Sequence, residues 1–492
     1  DPEYGRQASA SPAPPRTKAP DPAPAEPKTA RPMPDLSFAC TDYGNAERLV
    51  ARHGDNLRFT LGHRWLLWRN THWEIDQTQA IMRRAKETAR SIAAEADHVE
   101  GKGARTAILS WARRSESARL LKAMAELASS EPTVSMRSEE FDAHPMLFNC
   151  MSGTLDLETG TQRTHDRGDL ITKVVPIRYE PKATCPRWDR FLREITHDDA
   201  ELAGYLQRAV GYSLSGDVRE QNLFFLYGLG ANGKGTFLEI LQQLLGEYAT
   251  TAAPGLLLEQ RNEQHPTAIA DLAGRRAVVS SEVGEGKRLA EELVKRMTGG
   301  DRMKGRKMNK DFFEFAPNYK LWLMANHKPD VRGNDDGIWR RIHTIPFTAK
   351  FHDADKAQPG QPLKDPLLLK KLVAELPGIL AWAVRGCLEW QKVGLARPQA
   401  VHDATDSYRK EMDVLGAFLA DCCIQTPNVR TKSGDLYAAY QEWCQTSGEH
   451  AVTQATFGRS MTERGFVEAP GRTHGRMRLG VGLLDTDGTG DP

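Results

Sequence analysis

The stretch FFLYGLGANGKGTFLEIL, residues 224–241, has the residue pattern of a phosphate-binding loop. An apolar run leads into G-x-x-x-x-G-K, from Gly228 to Lys234, and an apolar helical pattern follows. In such a loop, backbone N–H groups and the helix N-terminus surround the phosphates while the lysine contacts the β- and γ-phosphates. The pattern therefore predicts an ATP site. Its predicted nucleotide-binding residues are Gly228, Gly230, Ala231, Asn232, Gly233, Lys234, Gly235 and Thr236.

The residue after the lysine departs from the usual motif. Ser or Thr normally stands there, and its hydroxyl ligates the magnesium of the bound nucleotide. This chain has Gly235, with Thr236 one place later. Either Thr236 reaches the metal through a small backbone change that glycine permits, or a water replaces the missing hydroxyl. A third alternative is an inactive loop kept as a scaffold, and the acidic, amide and arginine residues described next argue against it.

Two further apolar segments end in groups that ATP hydrolysis requires. AVVSSE, residues 277–282, reads as a short strand followed by Glu282, which we predict to be the general base. Together with Thr236 it is also the predicted Mg²⁺ ligand set, and Glu285 is a weaker candidate for the base. YKLWLMANHKP, residues 319–329, contains an apolar strand that ends at Asn326. The side-chain amide of Asn326 can orient the attacking water.

Paired arginines stand before another apolar strand. Arg340 and Arg341 precede IHTIPF, residues 342–347. An arginine there could reach the phosphates held by a neighbouring subunit and stabilise the charge of the transition state. Activity would then require oligomerisation.

Composition limits the class of protein around this site. The chain has 492 residues, a formal net charge of +1 and 40% hydrophobic residues, which suffices for several packed domains. No apolar run approaches the roughly 20 residues of a membrane span, so we expect a cytoplasmic protein with no membrane partner. The seven cysteines lack a C-x-x-C pair, so they encode neither a disulfide framework nor a zinc site.

The ordered set of motifs resembles the superfamily III helicase domain of the phage and plasmid primase-helicase family, with its poxvirus-like and satellite-phage-like replication proteins. The resemblance rests on GANGK, VVSSE, KRMTGGD, EFAPNYKLWLMANHKP and WRRIHTIPF. Upstream LFNCMSGTLDL and YLQRAVGYSLSGD, and downstream DLYAAYQEW and FGRSMTERGF, extend it over most of the chain.

The resemblance implies an α/β fold with an AAA+-like P-loop NTPase core. It further implies a homohexameric ring that moves 3′ to 5′ along one DNA strand. Lys234 would be the phosphate lysine, Glu282 the acidic Walker B residue and Asn326 the sensor. Arg341 is preferred to Arg340 as the arginine finger because it directly precedes the strand.

This class also projects a DNA-binding hairpin into the ring channel. The corresponding segment here is RMKGRKMNK, residues 302–310, with five basic residues and no acid. Arg306, Lys307 and Lys310 are the predicted DNA contacts, with Lys310 at the tip. The alternative is an ordinary solvated turn.

Residues 413–485 read as helix, turn, helix and basic wing, which indicates a winged helix. Arg476 is its predicted DNA contact, on a face shared with other arginines. A protein-docking domain with a solvated basic face is the alternative.

The predicted organisation has six parts. They are a disordered Pro/Ala-rich linker (1–35), an α+β helicase-associated N-terminal domain (36–186), the ATPase core (187–365) with a leading helical collar (187–222), a helical connector (366–412), a winged-helix-like domain (413–485) and a disordered tail (486–492).

The sequence therefore predicts an ATP-dependent DNA helicase that replicates a phage, plasmid or integrated element. ATP and Mg²⁺ are its expected cofactors, and single-stranded and forked DNA its expected partners. We expect primase or polymerase activity to come from an upstream domain or a separate partner. The rival hypotheses are a DNA-remodelling or loading ATPase that does not unwind, and a non-catalytic origin-binding platform.

Overall fold

The computed structural model describes residues 38–260, 266–281, 284, 286–308, 311–332, 336–471 and 475–484. Within it the chain divides after Glu140 into two compact units. The predicted linker and tail lie outside the described residues, as do Glu282, Glu285 and Lys310. None of the described helices combines the length and apolar character that a membrane span would need.

The first unit combines helices with an antiparallel sheet of order β1-β2-β3. Trp68 and Trp73 of this sheet are 8% and 0% exposed, so both tryptophans lie in a core. The described elements are α1 (Asp42–His53), β1 (Leu57–Thr60), β2 (Arg64–Trp68), β3 (Trp73–Ile75), α2 (Ala80–Glu95), α3 (Lys102–Ser115) and α4 (Ala118–Ala128).

The second unit begins earlier than the predicted domain boundary at residue 186. Phe148 and Leu155 lie in the same buried cluster as Phe224 and Leu226. This shared core explains why the structure divides the chain after Glu140. The elements before the central sheet are β4 (Leu147–Cys150), β5 (Gly153–Asp156), β6 (Thr161–Arg163), α5 (Pro186–Thr196) and α6 (Ala200–Leu214).

The centre of the second unit is a five-stranded sheet of order β13-β7-β12-β9-β8, in which every pairing is parallel. The central strands β7 (LFFLY) and β12 (KLWLMA) are almost continuous apolar runs, as expected of strands that are covered on both faces. The α/β class with a parallel sheet is thus confirmed. The elements are β7 (Leu223–Tyr227), α7 (Lys234–Leu245), β8 (Ala249–Thr251), α8 (Pro266–Ala270), β9 (Ala277–Ser281), α9 (Glu291–Gly299), β10 (Met303–Arg306), β11 (Phe312–Phe315), β12 (Lys320–Ala325), α10 (Asp336–Trp339) and β13 (Ile342–Pro346).

Helices follow the sheet, and a smaller α+β region ends the described chain. There β17 pairs with β15 and β16 in a three-stranded antiparallel sheet, and β14 pairs with β18. The elements are α11 (Leu368–Ala374), α12 (Leu376–Val393), α13 (Gln399–Glu411), α14 (Val414–Cys422), β14 (Cys423–Ile424), β15 (Arg430–Lys432), α15 (Ser433–Ser447), α16 (Gln454–Glu463), β16 (Glu468–Gly471), β17 (Gly475–Leu479) and β18 (Gly482–Leu483).

Two buried cations attach helix α6 to the amino-terminal edge of the sheet. Lys320, which begins β12, donates to the carbonyls of Ser215 and Asp217 just beyond the helix. Arg276, directly before β9, donates to the Leu214 carbonyl at 2.5 Å. Burial lowers the pKa of Lys320 well below its ordinary value. The helix C-terminus offsets this cost because its free carbonyls favour cations.

Glycines let α6 approach α12 closely. A Cβ built on Gly211 would lie 2.1 Å from the Cys387 nitrogen, and one on Gly386 would lie 2.2 Å from the Gln207 carbonyl oxygen. The two backbones therefore touch where any larger residue would separate them.

We expect Gly211→Ala to lower the free energy of unfolding by about 1–3 kcal/mol or more, because the added methyl group forces the helices apart. Gly204→Ala, in the same helix, is the control. Its Cβ would meet only the end of the Arg208 side chain, at 3.4 Å, so this change should be neutral or slightly stabilising. Urea unfolding of both variants measures the difference. Equal effects would contradict the close packing.

Candidate active site

The carboxyl-terminal edge of the parallel sheet gathers the predicted catalytic segments. Tyr227, which ends β7, pairs with Ala325, which ends β12. Ser281, the last residue of β9, pairs with Met324 of β12. The loops that carry the predicted phosphate-binding, acidic and sensor residues therefore begin side by side, at the edge where open α/β sheets bind ligands.

The loop after β7 needs glycine at defined positions. A Cβ on Gly228 would lie 2.1 Å from the Phe347 carbonyl oxygen, so the loop crosses directly over the end of β13. Gly233, at the start of α7, has φ +90°, which is the left-handed region that glycine occupies without strain. Gly230 has open space around it, and Ala231 is exposed.

Asn232 holds this loop in place. Its side chain is 2% exposed, and its Nδ2 donates to the Phe347 carbonyl at 2.9 Å. Its Oδ1 accepts from Lys234 Nζ at 3.2 Å. A single amide thus connects the loop to β13 and orients the lysine.

Lys234 is the central cation of the site. It begins α7 and is 3% exposed. Its Nζ donates to the Gly228 carbonyl at 2.5 Å and to Asn326 Oδ1 at 3.1 Å. Burial lowers the pKa of the ammonium group below its ordinary value. The structure thus brings together the predicted lysine and the predicted sensor amide, which are 92 residues apart in the chain.

Gly235 has room for a larger side chain. A Cβ there would meet no heavy atom within 4 Å, and its φ is not left-handed. Thr236, the next residue of α7, is half-buried. A serine at position 235 would therefore fit without strain. Thr236 itself belongs to the first turn of the helix.

The predicted acids fall outside the described residues. Ser281, directly before Glu282, is exposed at the end of β9. Among the residues that the structure describes, no group of three or more His, Cys, Asp and Glu side chains forms a metal site. The Mg²⁺ ligand set of Thr236 and Glu282 stays a prediction.

The two neighbouring arginines have different environments. Arg341 is 9% exposed, and its guanidinium donates to Thr298 Oγ1 at 3.1 Å and to the Gly337 carbonyl at 2.5 Å. Arg340 is exposed. The sequence predicts Arg341 as the finger, and that role stays a prediction. The guanidinium of Arg341 is bound within its own subunit, whereas the side chain of Arg340 is open to solvent.

The predicted DNA contacts lie on two separate elements. Arg306 and Lys307 are exposed on the hairpin of β10 and β11, and the third predicted contact, Lys310, lies outside the described residues. Arg476 on β17 is 80% exposed and lies 3.4 Å from Glu468. Arg478, two residues further on, is buried and bonded to Thr462 Oγ1, so it stabilises this region and does not face solvent.

The segment that follows β12 and begins with Asn326 is called the sensor loop below. Sequence reasoning missed the part of helix α13 that packs against it. The Tyr408 hydroxyl donates to the Pro329 carbonyl, and Lys328 Nζ lies 2.6 Å from a Glu411 carboxylate oxygen. Lys328 Nζ also lies 4.7 Å from the ring centroid of Tyr227. The apolar periodicity of α13 predicts a buried face but not which loop it contacts.

Three family models match different parts of the chain. The D5 N terminal like model matches residues 46–197, and the Poxvirus D5 protein-like model matches residues 410–467. A family of unknown function, DUF5906, matches residues 226–341, which contain the site.

Curated relatives from large DNA viruses are similar to the chain. The protein named "Putative helicase L207/L206" of Acanthamoeba polyphaga mimivirus is 30% identical over 325 residues, which is 62% of this chain and 34% of that protein. "Putative primase C962R" of African swine fever virus (strain Badajoz 1971 Vero-adapted) is 24% identical over 62% of this chain and 34% of that protein. The chain is related to the poxvirus-like primase-helicases. It spans about a third of the length of the curated relatives that it matches.

Among solved structures, the C-terminal region of NrS-1 is similar to this chain. One apo structure of that region gives a TM-score of 0.42 and 11% identity, and the match covers 86% of this chain and 96% of that one. A second gives a TM-score of 0.38 and 13% identity over 66% of this chain and 88% of that one.

Substitutions of Arg340 and Arg341 should have different effects on the free energy of unfolding. We expect Arg341→Ala to lower the free energy of unfolding by about 2–4 kcal/mol, because it removes charged donors from buried acceptors. Arg340→Ala should stay within about 0.5 kcal/mol, as exposed changes do. Chemical denaturation of both variants measures this, and a larger loss for Arg340→Ala would contradict the assignment.

Proposed function

We propose that this chain is the ATP-driven helicase portion of a DNA replication protein from a phage, plasmid or integrated element. The observation that carries the proposal is the 3.1 Å contact between Lys234 Nζ and Asn326 Oδ1, at the edge where β7 and β12 end. A phosphate-binding lysine and a water-orienting amide must both reach the same γ-phosphate, so the proposal requires the two side chains to lie next to each other. The names of the viral relatives, helicase and primase, agree with this chemistry.

Each residue of the site has a proposed role. Backbone N–H groups from Gly228 to Lys234 bind the phosphates, and Lys234 neutralises the γ-phosphate. Asn326 orients the attacking water, and Glu282 accepts its proton. Mg²⁺ would be held by Thr236 and Glu282, directly or through water, because a hydroxyl and a carboxylate suit this cation; when bound, it neutralises charge on the phosphate oxygens.

The wider architecture follows from the same proposal. The core is AAA+-like and assembles as a homohexamer, in which the exposed Arg340 reaches the nucleotide of the neighbouring subunit. The hairpin of β10 and β11 contacts single-stranded DNA, and translocation runs 3′ to 5′. The region from α14 to β18 is a winged helix, supported by two helices followed by the paired strands β16 and β17. The working compartment is the cytoplasm.

Two experiments separate this proposal from its rivals. ATP hydrolysis that is stimulated by single-stranded DNA excludes a non-catalytic origin-binding platform. Displacement of a labelled strand from forked DNA, with a 3′ tail and a 5′ tail tested separately, distinguishes a helicase from a remodelling or loading ATPase. Hydrolysis without displacement on either fork would support the second.

Lys234→Ala is expected to reduce DNA-stimulated ATP hydrolysis by about a hundredfold or more, because a preorganised charge on the transferring phosphate is lost. Gly235→Ser should keep the parent rate or exceed it, since Ser fits the open space and offers a direct metal ligand. Steady-state phosphate release measures both variants.

A second pair of variants, Gly228→Ala and Gly230→Ala, tests the backbone of the same loop. The first places a Cβ against the Phe347 carbonyl and should weaken binding of a fluorescent ATP analogue, whereas the second meets open space and should not. Retained turnover in Lys234→Ala would refute the nucleotide site. A large loss in Gly235→Ser would show that the loop rearranges on binding nucleotide.

Arg340→Ala should eliminate hydrolysis while nucleotide binding persists, because the finger acts on the neighbouring site. Mixing this variant with Glu282→Gln should restore part of the activity at interfaces that pair an intact arginine with an intact base. Hydrolysis across a range of mixing ratios is the measurement, since cooperative rings can hide rescue at a single ratio.

Arg341→Lys is the matched comparison, because it keeps a cation in the buried position. Rescue by Arg341→Lys and none by Arg340→Ala would return the finger to Arg341. No rescue by either variant at any ratio would argue against a finger acting between subunits.

A further inference from the structure

The hairpin of β10 and β11 has two chemically different faces. Met303 and Gly305 point inward and are buried, and a Cβ on Gly305 would lie 2.8 Å from the Cα of Ala270 in helix α8. The alternate residues, Lys304 and Arg306, are exposed. Because side chains alternate along a strand, one face is held against the protein and the other is presented to solvent.

Phe312 breaks the polar pattern of the exposed face. It pairs directly with Arg306 across the hairpin, so it lies on the outward side, and it is 50% exposed. Its neighbour Phe313 is partly buried on the opposite face. A phenylalanine on the outward side contributes little to the core, so packing does not account for its size.

Two cations flank this exposed ring. Arg306 Cζ lies 4.9 Å and Lys304 Nζ lies 5.5 Å from the ring centroid of Phe312. Both distances are within the range of cation–π contacts. The contacts limit the rotation of the ring and keep two positive charges beside it. The arrangement combines an aromatic surface with phosphate-binding cations within one short hairpin.

The remaining charges around the ring are mostly basic. Arg302 lies 3.5 Å from Glu314, so the opposite charges of this pair cancel. Lys307 adds another exposed cation, whereas Asp311 adds an exposed acid. Acidic peptides and nucleic acids both suit a basic face, but a flat exposed ring between cations suits a base above a phosphate backbone. Proteins that bind single strands combine these two features.

We propose that Phe312 is a base-stacking contact for single-stranded DNA, with Lys304 and Arg306 on the adjacent phosphates. This inference rests on the proposed function and adds to it a base contact on the side of the hairpin, apart from the predicted lysine contact at its tip. It assigns the non-electrostatic part of DNA binding to one residue. Stacking tolerates any base, so the contact serves movement along a strand without reading its sequence.

The test compares two single-stranded probes of equal length, oligo(dT) and an abasic oligonucleotide with the same phosphate backbone. The full chain should bind oligo(dT) more tightly than the abasic strand. Phe312→Leu keeps an apolar side chain and should weaken oligo(dT) binding roughly tenfold, within the range of base–aromatic stacking, while abasic binding is unchanged. Phe312→Trp should retain the preference. The salt dependence of binding should not change in Phe312→Leu, because no phosphate contact is lost.

Two further variants make the result specific. Met308→Ala removes an apolar side chain of the same hairpin that is 77% exposed, and it should leave both affinities unchanged. Lys304→Ala should weaken both probes and flatten the salt dependence. Size-exclusion chromatography of each variant reports assembly.

The outcomes distinguish this inference from the proposed function. If the parent chain prefers oligo(dT) and Phe312→Leu binds both probes like the parent, the inference fails while the helicase proposal stands. If Phe312→Leu changes the assembly state, the ring packs against another copy of the chain and the inference also fails. If the parent chain binds neither probe, both are overturned. Selective loss of oligo(dT) binding supports the stacking contact.

Discussion

The candidate site depends on the parallel pairing of β7 with β12. These strands are separated by most of the core in sequence, yet their register places Tyr227 opposite Ala325, so Gly228 and Asn326 leave the sheet at the same level. A slip of one residue would turn every side chain of one strand to the other face and separate the amide from the lysine. The stacking of Phe224 on Trp322, with ring centroids 4.2 Å apart, is one of the buried contacts that fix this register.

The amino-terminal and carboxyl-terminal edges of the sheet differ in their hydrogen bonding. At the amino-terminal edge, the buried cations Arg276 and Lys320 are bound to backbone carbonyls at the end of α6 and just beyond it, so this edge is a fixed attachment for the preceding helices. At the carboxyl-terminal edge, the loop after β7 is held by one amide, Asn232, and one cation, Lys234. In the first arrangement, the two buried cations donate hydrogen bonds to backbone carbonyls. In the second, the Lys234 ammonium group is bonded to the Gly228 carbonyl and to the amides of Asn232 and Asn326, so it is held at the end of β7 and β12.

Helix α13 brings the sensor loop and the arginine segment into one packed assembly. Tyr408 bonds to the Pro329 carbonyl and packs edge-to-face on Trp339 of α10, with centroids 5.2 Å apart. Arg409 of the same helix pairs with Asp336 at 2.8 Å. The segment that follows Asn326 and the segment that precedes Arg340 therefore share a single support, which leads directly into α14 and the C-terminal region.

The sequence by itself determined the local chemistry: the glycine-rich loop, the apolar strands that must be buried, and the polar residues at their ends. Those features follow from residue type and spacing, and they were sufficient to predict an α/β core and to name Lys234 and Asn326. Only the tertiary structure decided which of two adjacent arginines is buried, because the partners of Arg341, Thr298 and Gly337, come from different elements. It also decided the division after Glu140 and the outward direction of Phe312. These depend on packing between distant segments, which residue spacing along the chain does not specify.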